Sequence, residues 1–238
     1  MRTRGTGPGS LVAGLWVVRR GDGRPLVLLH GNGEDHHVFD RMLPLLAPGR
    51  ELIGVDSRAH GRSPRGEGPL TIEAMADDVD AVLGALGLAG VDVLGYSDGG
   101  NVALALAVRH PRRVRRMVVC GANLEPAGLR PGVLRSMVLL RRALRAVRPL
   151  WAGAARRVEL LDLMVDDPHL GAADLAQVGA PVLVVSGERD VVLPEHSRLI
   201  AASLPAGRSA VVAGVGHAVP QRRPADLARL VDAFLGSP

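Results

Sequence analysis

The sequence predicts an α/β fold in which a mostly parallel sheet is covered by helices on both faces. Short apolar runs of strand length alternate with segments of helical periodicity through the first half of the chain, and this alternation returns near its end. Continuous apolar runs are typical of strands buried on both faces, and their alternation with helices is typical of parallel sheets. The 238 residues, 47% of them hydrophobic, are enough for one domain with a substantial core.

Five strands are predicted in the first half of the chain. Leu11–Val18 is an apolar run closed by Arg19 and Arg20. We interpret it as an edge strand rather than as part of a signal peptide, because no small-residue cleavage site follows. The later strands are short apolar runs of the kind that lies inside a sheet. They are Pro25–Leu29, Glu51–Asp56, Val91–Leu94 and Val114–Cys120.

Helical segments separate these strands. His37–Leu46 carries apolar residues at helical spacing, and Asn101–Val108 has a helix-like composition. Thr71–Leu86 follows the helical pattern as well, and the Thr71 hydroxyl can cap its first turn. Strand and helix therefore alternate regularly up to about residue 120.

The alternation stops between residues 121 and 180, where we expect an insertion of helices too long for a plain connection. Within it, Pro131–Trp151 has apolar residues at every third or fourth position, on one helix face: Val133, Met137, Leu140, Leu144 and Val147. We expect this face to pack on a pocket and the arginines to point outward: Arg135, Arg141, Arg142 and Arg145. The alternative is a basic amphipathic helix that lies on an anionic membrane.

After this insertion the alternation resumes and continues to the end of the chain. Apolar runs again predict strands, and segments of helical spacing predict helices between and after them. In chain order these elements are Pro181–Ser186, His196–Ser203, Ser209–Ala213 and Ala225–Leu235.

Charge and cysteine content narrow the class of protein. The formal net charge is +5 at pH 7, and arginine supplies it without any lysine. These charges are scattered and no nucleic-acid-binding motif accompanies them, so we expect no nucleic acid partner. No run reaches the roughly 18 apolar residues of a membrane span, and Cys120 stands alone. We expect a cytoplasmic protein, with its oligomeric state left open.

A nucleophile motif lies between a predicted strand and a predicted helix. Gly95-Tyr96-Ser97-Asp98-Gly99 matches the G-x-S-x-G pattern. The small glycines let the chain pass close to a strained serine, which is lifted off the sheet towards a base. The N–H groups at the start of the following helix point at the same place and can stabilise a negative charge. This context predicts Ser97 as a nucleophile.

Candidates for a base and its orienting acid follow the last two strands. Asp190 lies in the loop after the first of them, and His217 lies in the loop after the second. Because the carboxyl ends of parallel strands meet at one edge of a sheet, we expect both near Ser97. His30 and Asp56 end earlier strands at this edge. The chain order serine, aspartate, histidine matches the order known for one fold.

Together these motifs resemble those of the α/β-hydrolase superfamily, over essentially the whole chain. They are His30-Gly31, Asp56-x-Arg58-x-His60-Gly61-x-Ser63, Gly95-x-Ser97-x-Gly99-Gly100, Gly187-x-x-Asp190 and Gly216-His217. A small departure is Ala59, where a glycine is more usual, and it lies outside the chemistry.

The resemblance implies a single α/β-hydrolase domain over residues 1–238, with residues 121–180 as a helical cap over the pocket. It implies Ser97 as nucleophile, His217 as general base and Asp190 as the orienting acid. It also implies an oxyanion hole from the backbone N–H groups of Asn32 and Asp98, and a reaction that uses no cofactor and no metal. The Asn32 side-chain amide could face the pocket too, but we expect the backbone to serve.

The expected function is that of a serine hydrolase that cleaves a carboxylic ester or related acyl bond of a small molecule through an acyl-enzyme. A serine nucleophile argues against dehalogenase and epoxide hydrolase members, which use an aspartate there. The same triad also serves cofactor-free perhydrolases and carbon–carbon bond hydrolases. A slow-turnover ligand-binding receptor is the alternative from another class, because fold alone does not determine function.

Asp98 has two interpretations. A carboxylate in the first turn of a helix complements the helix dipole. However, the Gly-x-Ser97-Asp98-Gly-Gly pattern is similar to that of the valacyclovir hydrolase (biphenyl hydrolase-like) branch, whose matching acid holds a substrate ammonium group. That resemblance implies Asp98 as a substrate-binding residue for positively charged esters.

Several other polar residues could be considered as the orienting acid, as structural groups or as metal ligands. Glu188 lies in the same loop as Asp190, and Glu125 follows the strand before it, where some family members carry the acid. We interpret Arg58 and His60 as structural groups of their loop. His36 and His37 could suggest a metal site, but no third ligand is apparent, and we interpret Asp166-Asp167-Pro168-His169 as a polar turn rather than a metal cluster.

Overall fold

A mixed sheet of eight strands forms the centre of the computed structural model, which describes residues 9–151 and 153–236. Residues 1–8, Ala152 and residues 237–238 of the expected domain lie outside the described residues. The strands are β1 (Ser10–Val12), β2 (Leu15–Gly21), β3 (Arg24–Leu29), β4 (Arg50–Asp56), β5 (Val91–Tyr96), β6 (Val114–Cys120), β7 (Val182–Gly187) and β8 (Gly207–Val212).

The strand order is β1-β2-β4-β3-β5-β6-β7-β8. β2 runs antiparallel to both of its neighbours, and β3 to β8 are all parallel. The predicted fold class, a mostly parallel sheet between helices, is therefore confirmed. The carboxyl ends of the parallel strands form one edge, where ligands bind in such sheets.

The described part of the chain contains nine α-helices. They are α1 (Leu43–Leu46), α2 (Ile72–Ala85), α3 (Asp98–Arg109), α4 (Pro131–Val147), α5 (Gly153–Asp166), α6 (Ala172–Leu175), α7 (Pro194–Ser203), α8 (Val219–Arg222) and α9 (Pro224–Leu235). None of them combines the length and the apolar character that crossing a bilayer demands.

Two hydrophobic cores lie on opposite faces of the sheet. Alternate side chains of a strand point to opposite faces, so Val27 of β3 packs in one core and Leu28 in the other. The first core is covered by α2, α3 and α7, and the second by α1 and α9. The Thr71 hydroxyl accepts a hydrogen bond from the Ala74 N–H at 3.2 Å, which confirms the predicted cap of α2.

The predicted edge strand Leu11–Val18 is wrong in detail, because it is a hairpin of β1 and β2. Ala13 (φ 47°) and Gly14 (φ 86°) form its two-residue turn. Two consecutive residues with positive φ match the right-handed twist of paired strands, and the unbroken apolar pattern concealed this turn.

The predicted helix His37–Leu46 is divided into a 3₁₀ turn at His36–Phe39 and the short helix α1. The Asp35 carboxylate accepts a hydrogen bond from the His37 N–H at 2.9 Å and caps the turn. Pro44 lacks an N–H group, so it cannot continue a preceding helix but fits the first turn of a new one.

Helices occupy most of residues 121–180, and α4 and α5 pack against each other there. Leu144 is buried against Ala154 and Val158 of α5. Three predictions for α4 are wrong: Leu140 is 52% exposed and Val147 is 41% exposed, whereas the Arg141 side chain is only 14% exposed.

The cause of this difference is the position of α5. The Arg141 guanidinium pairs with Asp162 at 3.2 Å and with Asp166 at 2.5 Å, both on α5. The contact line between the two helices therefore includes Arg141 and excludes Leu140, which the helical pattern alone could not show.

Candidate active site

Ser97 occupies a tight turn between β5 and α3. Its backbone has φ 54° and ψ −124°, a region that L-residues rarely adopt. A Cβ on Gly95 would lie 2.2 Å from the Gly99 carbonyl oxygen, and one on Gly99 would lie 2.1 Å from that of Leu29. Neither position can hold a side chain, so the two glycines of the motif permit this turn.

The structure brings together three residues from separate loops of the same sheet edge. The His217 Nε2 atom lies 2.9 Å from the Ser97 Oγ atom, and His217 Nδ1 lies 2.7 Å from an Asp190 carboxylate oxygen. The first distance suits proton transfer from the hydroxyl, and the second fixes the orientation of the imidazole.

Asp190 is buried and held in place by its own loop. Its carboxylate accepts hydrogen bonds from the N–H groups of Gly187 at 3.1 Å and Val192 at 3.2 Å. Burial raises the pKa of this carboxyl, but the hydrogen bond with His217 and those two N–H groups lower the pKa more. The net result is a pKa below its usual range, so Asp190 stays ionised at neutral pH.

The competing acids have other contacts. The Glu188 carboxylate accepts a hydrogen bond from the Gly214 N–H at 2.9 Å, which braces the loop that precedes His217. Glu125 is exposed at the start of the short 3₁₀ turn Pro126–Gly128. Among the hydrogen bonds of the described residues, only that of Asp190 joins a carboxylate to His217.

The Asn32 side chain bridges the nucleophile turn and α5. Its amide nitrogen donates to an Asp98 carboxylate oxygen at 2.9 Å and to the Leu160 carbonyl at 3.0 Å. Both amide hydrogens of Asn32 are therefore used within the protein. In the described part of the chain, the backbone N–H groups of Asn32 and Asp98 have no acceptor.

Asp98 is only 6% exposed at the first position of α3. Burial raises the pKa of its carboxyl to about 6, and the hydrogen bond from Asn32 opposes that rise. A second amide, that of Asn101, lies 3.4 Å from its other oxygen. The carboxylate is therefore oriented by two amides, without a basic residue among its hydrogen-bond partners in residues 9–151 and 153–236.

A cavity of about 290 Å³ opens beside Ser97. Its apolar wall includes Val133 and Met137 of α4 and Met164 of α5. Its polar wall carries three carboxylates, those of Glu34, Asp98 and Asp167, and the described lining includes no arginine. The cavity is therefore small, partly apolar and negative in a protein whose net charge is positive.

The chain that forms this site is similar to known proteins. A family model described as the alpha/beta hydrolase fold matches residues 24–159, more than half of the chain. The chain belongs to the α/β-hydrolase fold family. The match begins at β3 and ends within α5, so it includes the turn at Ser97.

Two curated relatives illustrate the similarity. The chain is 29% identical to a 2-hydroxymuconate semialdehyde hydrolase of Pseudomonas putida over 261 aligned positions, which cover 91% of this chain and 88% of the relative. It is 37% identical to a pimeloyl-[acyl-carrier protein] methyl ester esterase of Neisseria meningitidis over 122 positions, 48% of this chain and 38% of that one. Across several such relatives, the chain spans less than half of their length.

A solved structure shows the same fold over nearly the whole chain. It is described as Est816, an N-acyl homoserine lactone degrading enzyme, and superposes with a TM-score of 0.76 at 25% identity. The alignment covers 95% of this chain and 100% of the other.

Behind the site of this α/β-hydrolase, buried histidines hold the loops at the sheet edge. His30 Nδ1 donates to the Gly31 carbonyl at 2.8 Å, and its Nε2 accepts from the Ser57 N–H at 3.0 Å. Burial lowers the pKa of His30 to about 4, so the ring stays neutral, as this pattern requires. His60 bonds the Arg58 carbonyl at 2.8 Å, which supports its structural interpretation. Ala59 between them has φ 62°, a conformation that favours glycine.

The side chains around His36 and His37 differ from those that the sequence predicted. His36 Nδ1 bonds Asp56 at 2.7 Å and His37 Nδ1 bonds Asp40 at 2.9 Å. A third potential ligand, Asp35, does lie beside them, contrary to the sequence-based interpretation, with all three ligand atoms within 4.8 Å of one another. The imidazole rings of His36 and His37 are each already hydrogen-bonded to a carboxylate.

Asp166 and Asp167, expected in a polar turn, have separate roles. Asp166 pairs with Arg141 of α4, and an Asp167 oxygen accepts the Ile72 N–H at the start of α2 at 2.6 Å. Asp167 also lines the cavity, which sequence reasoning missed.

Sequence reasoning also missed Glu34, Asn101 and Arg130. Glu34 follows the Asn32 loop, and burial raises the pKa of its carboxyl. Asn101 lies one helical turn after Asp98, and this spacing could have pointed to it. The Arg130 Nε atom donates to the Asp190 carbonyl at 2.6 Å and ties the acid loop to the start of α4, a contact without any local signal.

Proposed function

We propose that this protein is a serine hydrolase that cleaves small carboxylic esters. The observation that carries the proposal is the hydrogen-bonded series from Ser97 through His217 to Asp190, beside a cavity. The family membership and the esterase among the relatives support it as well.

In the first half of the proposed reaction, Ser97 is acylated. His217 accepts the hydroxyl proton as Ser97 Oγ attacks the ester carbonyl carbon. The oxygen of the tetrahedral intermediate takes up negative charge beside the N–H groups of Asn32 and Asp98. His217 then donates its proton to the departing alcohol, and the acyl group remains on Ser97.

In the second half, water releases the acyl group. His217 accepts a proton from the water, which attacks the acyl carbonyl, and returns that proton to Ser97 as the carboxylic acid leaves. Asp190 remains ionised throughout and stabilises the positive charge on His217. No step requires a metal or a cofactor.

We further propose that residues 121–180 act as a cap that limits substrate size. Val133, Met137 and Met164 come from its helices and supply the apolar wall of the cavity. Because the cavity measures about 290 Å³, at the lower limit for ligand sites, we expect short acyl groups.

The carboxylates of the cavity disfavour one of the alternative reactions. A substrate that itself carries a carboxylate next to the scissile bond would be repelled by Glu34, Asp98 and Asp167. This disfavours carbon–carbon bond cleavage of anionic substrates. A perhydrolase or a slow receptor would share the triad, and turnover measurements separate them from an esterase.

The test is steady-state hydrolysis of 4-nitrophenyl esters of increasing acyl length, combined with labelling by a fluorophosphonate. Ser97→Ala should lose label and lower kcat by about 10⁴-fold, because the nucleophile is removed. Ser136→Ala, at an exposed serine of α4, is the control and should behave as wild type. Undiminished labelling of Ser97→Ala would contradict the proposal, and a single slow burst in the wild type would favour a receptor.

We also propose that Asp98 binds the ammonium group of an amino-acid ester. Its buried carboxylate lines the cavity and is oriented by Asn32 and Asn101. Because two more carboxylates share the cavity, a cation gains electrostatic stabilisation there, whereas a neutral group does not.

An α-amino ester and its neutral isostere, compared by kcat/KM, test this proposal. The amino ester should be preferred by about 10- to 100-fold, the usual strength of a hydrogen bond to a charged group. Since the pKa of Asp98 is raised to about 6, the preference should grow as pH rises through 6 and the carboxylate ionises. Asp98→Asn should lose both effects, whereas Glu188→Gln, outside the cavity, should keep them. Equal use of both esters by the wild type would reduce Asp98 to a helix-start residue.

A further inference from the structure

The outward face of α4 exposes large apolar side chains to solvent. Leu139 is 63% exposed, and Leu140 and Val147 are exposed beside it. Positions 139, 143, 146, 147 and 150 fall on one side of a helix, so Ala143 and Ala146 continue the same stripe. Beyond the end of α4 the stripe continues to Leu150, which is 89% exposed, and to the exposed Trp151.

This stripe is separate from the face of α4 that points inward. Val133 and Met137 line the cavity, and Leu144 packs on α5. α4 therefore has two apolar faces, and only the inward one has a partner among the described residues. An exposed apolar stripe of this extent on one helix indicates an interaction surface.

The charged side chains of α4 itself are all positive. α4 contains no acidic residue between Pro131 and Val147. Its Arg141 and Arg145 are paired with carboxylates of α5. By contrast, Arg142 is exposed and has no ion pair in residues 9–151 and 153–236, and Arg135 is exposed one turn before Leu139.

The combination of apolar and positively charged side chains favours one class of partner over the others. A second copy of the chain would bring two positive stripes together, and like charges at an interface are repelled. A bilayer with anionic headgroups takes up both components, because leucine and tryptophan side chains enter the interface while arginines bind the lipid phosphates.

We propose that the outward face of α4, together with Leu150 and Trp151, binds the surface of membranes that contain anionic lipids. The helix would lie in the plane of the interface, with its stripe towards the acyl chains and Arg135 and Arg142 at the headgroups. Since the inward face of α4 lines the cavity, binding places the cavity next to the lipid surface. This proposal does not depend on the chemistry of Ser97.

The test is co-sedimentation with vesicles of phosphatidylcholine alone or of phosphatidylcholine mixed with the anionic lipid phosphatidylglycerol, because negative headgroups attract arginine side chains near the surface. We expect pelleting only with the anionic vesicles, and weaker pelleting as salt screens the arginines. Trp151 emission should shift to shorter wavelength on binding, and Trp151→Phe should abolish that shift.

Substitutions show whether membrane binding depends on the apolar stripe or only on the net positive charge of the protein. Leu139→Gln with Leu140→Gln should weaken binding by about tenfold or more, and Arg142→Gln by about fivefold. Arg198→Gln and Leu199→Gln are matched controls, because both residues are exposed on α7, far from α4 in sequence, and they should bind as wild type.

Three results would overturn the proposal. One is the absence of pelleting with anionic vesicles at low salt. Another is equal loss of binding in the α7 controls, which would indicate non-specific attraction by net charge. The third is a concentration-dependent dimer that Leu139→Gln disrupts, or saturable binding of an acidic protein that excludes vesicles, because either would assign the stripe to a protein partner.

Discussion

At the scale of single residues, Ser97 and Asp98 show how one turn combines several requirements. The left-handed backbone of Ser97 costs free energy, of order 1–3 kcal/mol for a strained residue of this kind. It also starts α3 at Asp98, so that the first N–H of the helix has no carbonyl partner among the described residues. The strain is therefore part of the geometry that the proposed oxyanion hole needs.

Asp190 is the proposed orienting acid of His217, and its substitution tests that role. We predict that Asp190→Asn lowers kcat by about 10³- to 10⁴-fold, because an amide cannot stabilise the positive charge on His217 and favours the wrong tautomer. Stopped assays at several pH values, with circular dichroism to verify the fold, measure the effect.

Two matched variants test the assignment of Asp190. Glu188→Gln should keep nearly full activity, since its carboxylate contacts only the Gly214 N–H in the described residues. Glu125→Gln should also stay active, since that residue is exposed. An inactive Glu125→Gln with an active Asp190→Asn would move the acid to the loop after β6.

At the scale of elements, α4 and α5 form a helical pair that is joined by charge as much as by apolar contact. In the described part of the chain, Leu144, Ala154 and Val158 form the buried cluster between them, with Leu161 partly buried against it. Arg141 adds two ion pairs, and Arg145 pairs with Asp162 at 2.6 Å. The pair rests above the sheet, and Asn32 binds it through the Leu160 carbonyl.

We predict that Arg141→Gln loosens this pair without unfolding the sheet. Removing the guanidinium leaves Asp166 without an ion pair among the described residues, whereas Asp162 keeps its pair with Arg145. Because both carboxylates are partly exposed, the cost is modest, about 1 kcal/mol. Hydrogen exchange in α4 and α5 should therefore speed up by about fivefold, with exchange in β3 to β7 unchanged.

Arg142→Gln is the control for that experiment. Arg142 is adjacent in sequence but exposed, and it has no ion pair among the described residues, so its removal should leave exchange in α4 and α5 as in wild type. If both variants changed exchange equally, the ion pairs of Arg141 would not be what holds the helices together.

At the scale of the whole molecule, the parallel sheet explains how distant residues meet. Ser97 and His217 are separated by 120 positions in the chain, yet their side chains are in contact. Each follows a parallel strand, and all such strands end at the same edge.

The arginine-rich composition has a role at this scale too. Arg50 of β4 is buried and donates to Asp232 of α9 at 2.5 Å, and Arg109 of α3 pairs with Asp77 of α2 at 2.7 Å. Many guanidinium groups thus join elements within the fold.

The sequence by itself determined the fold class, most strand positions and the motifs at the sheet edge. β6 was predicted at Val114–Cys120, as the structure has it. Such features depend on local patterns: apolar periodicity selects strand or helix, glycines mark the turn at Ser97, and strand ends carry the polar residues.

Only the tertiary structure decided which side chains share the cavity and which face of α4 is covered. Glu34 comes to lie beside Asp98 because the neighbouring strands β3 and β5 end at the same edge, and Asp167 because α5 packs above it. The packing of α5 also draws Arg141 inward and leaves Leu140 exposed. Contacts of this kind depend on the rotation of a helix about its axis. Because α4 is apolar on two sides, its periodicity was consistent with more than one rotation, and packing against α5 selected the one observed.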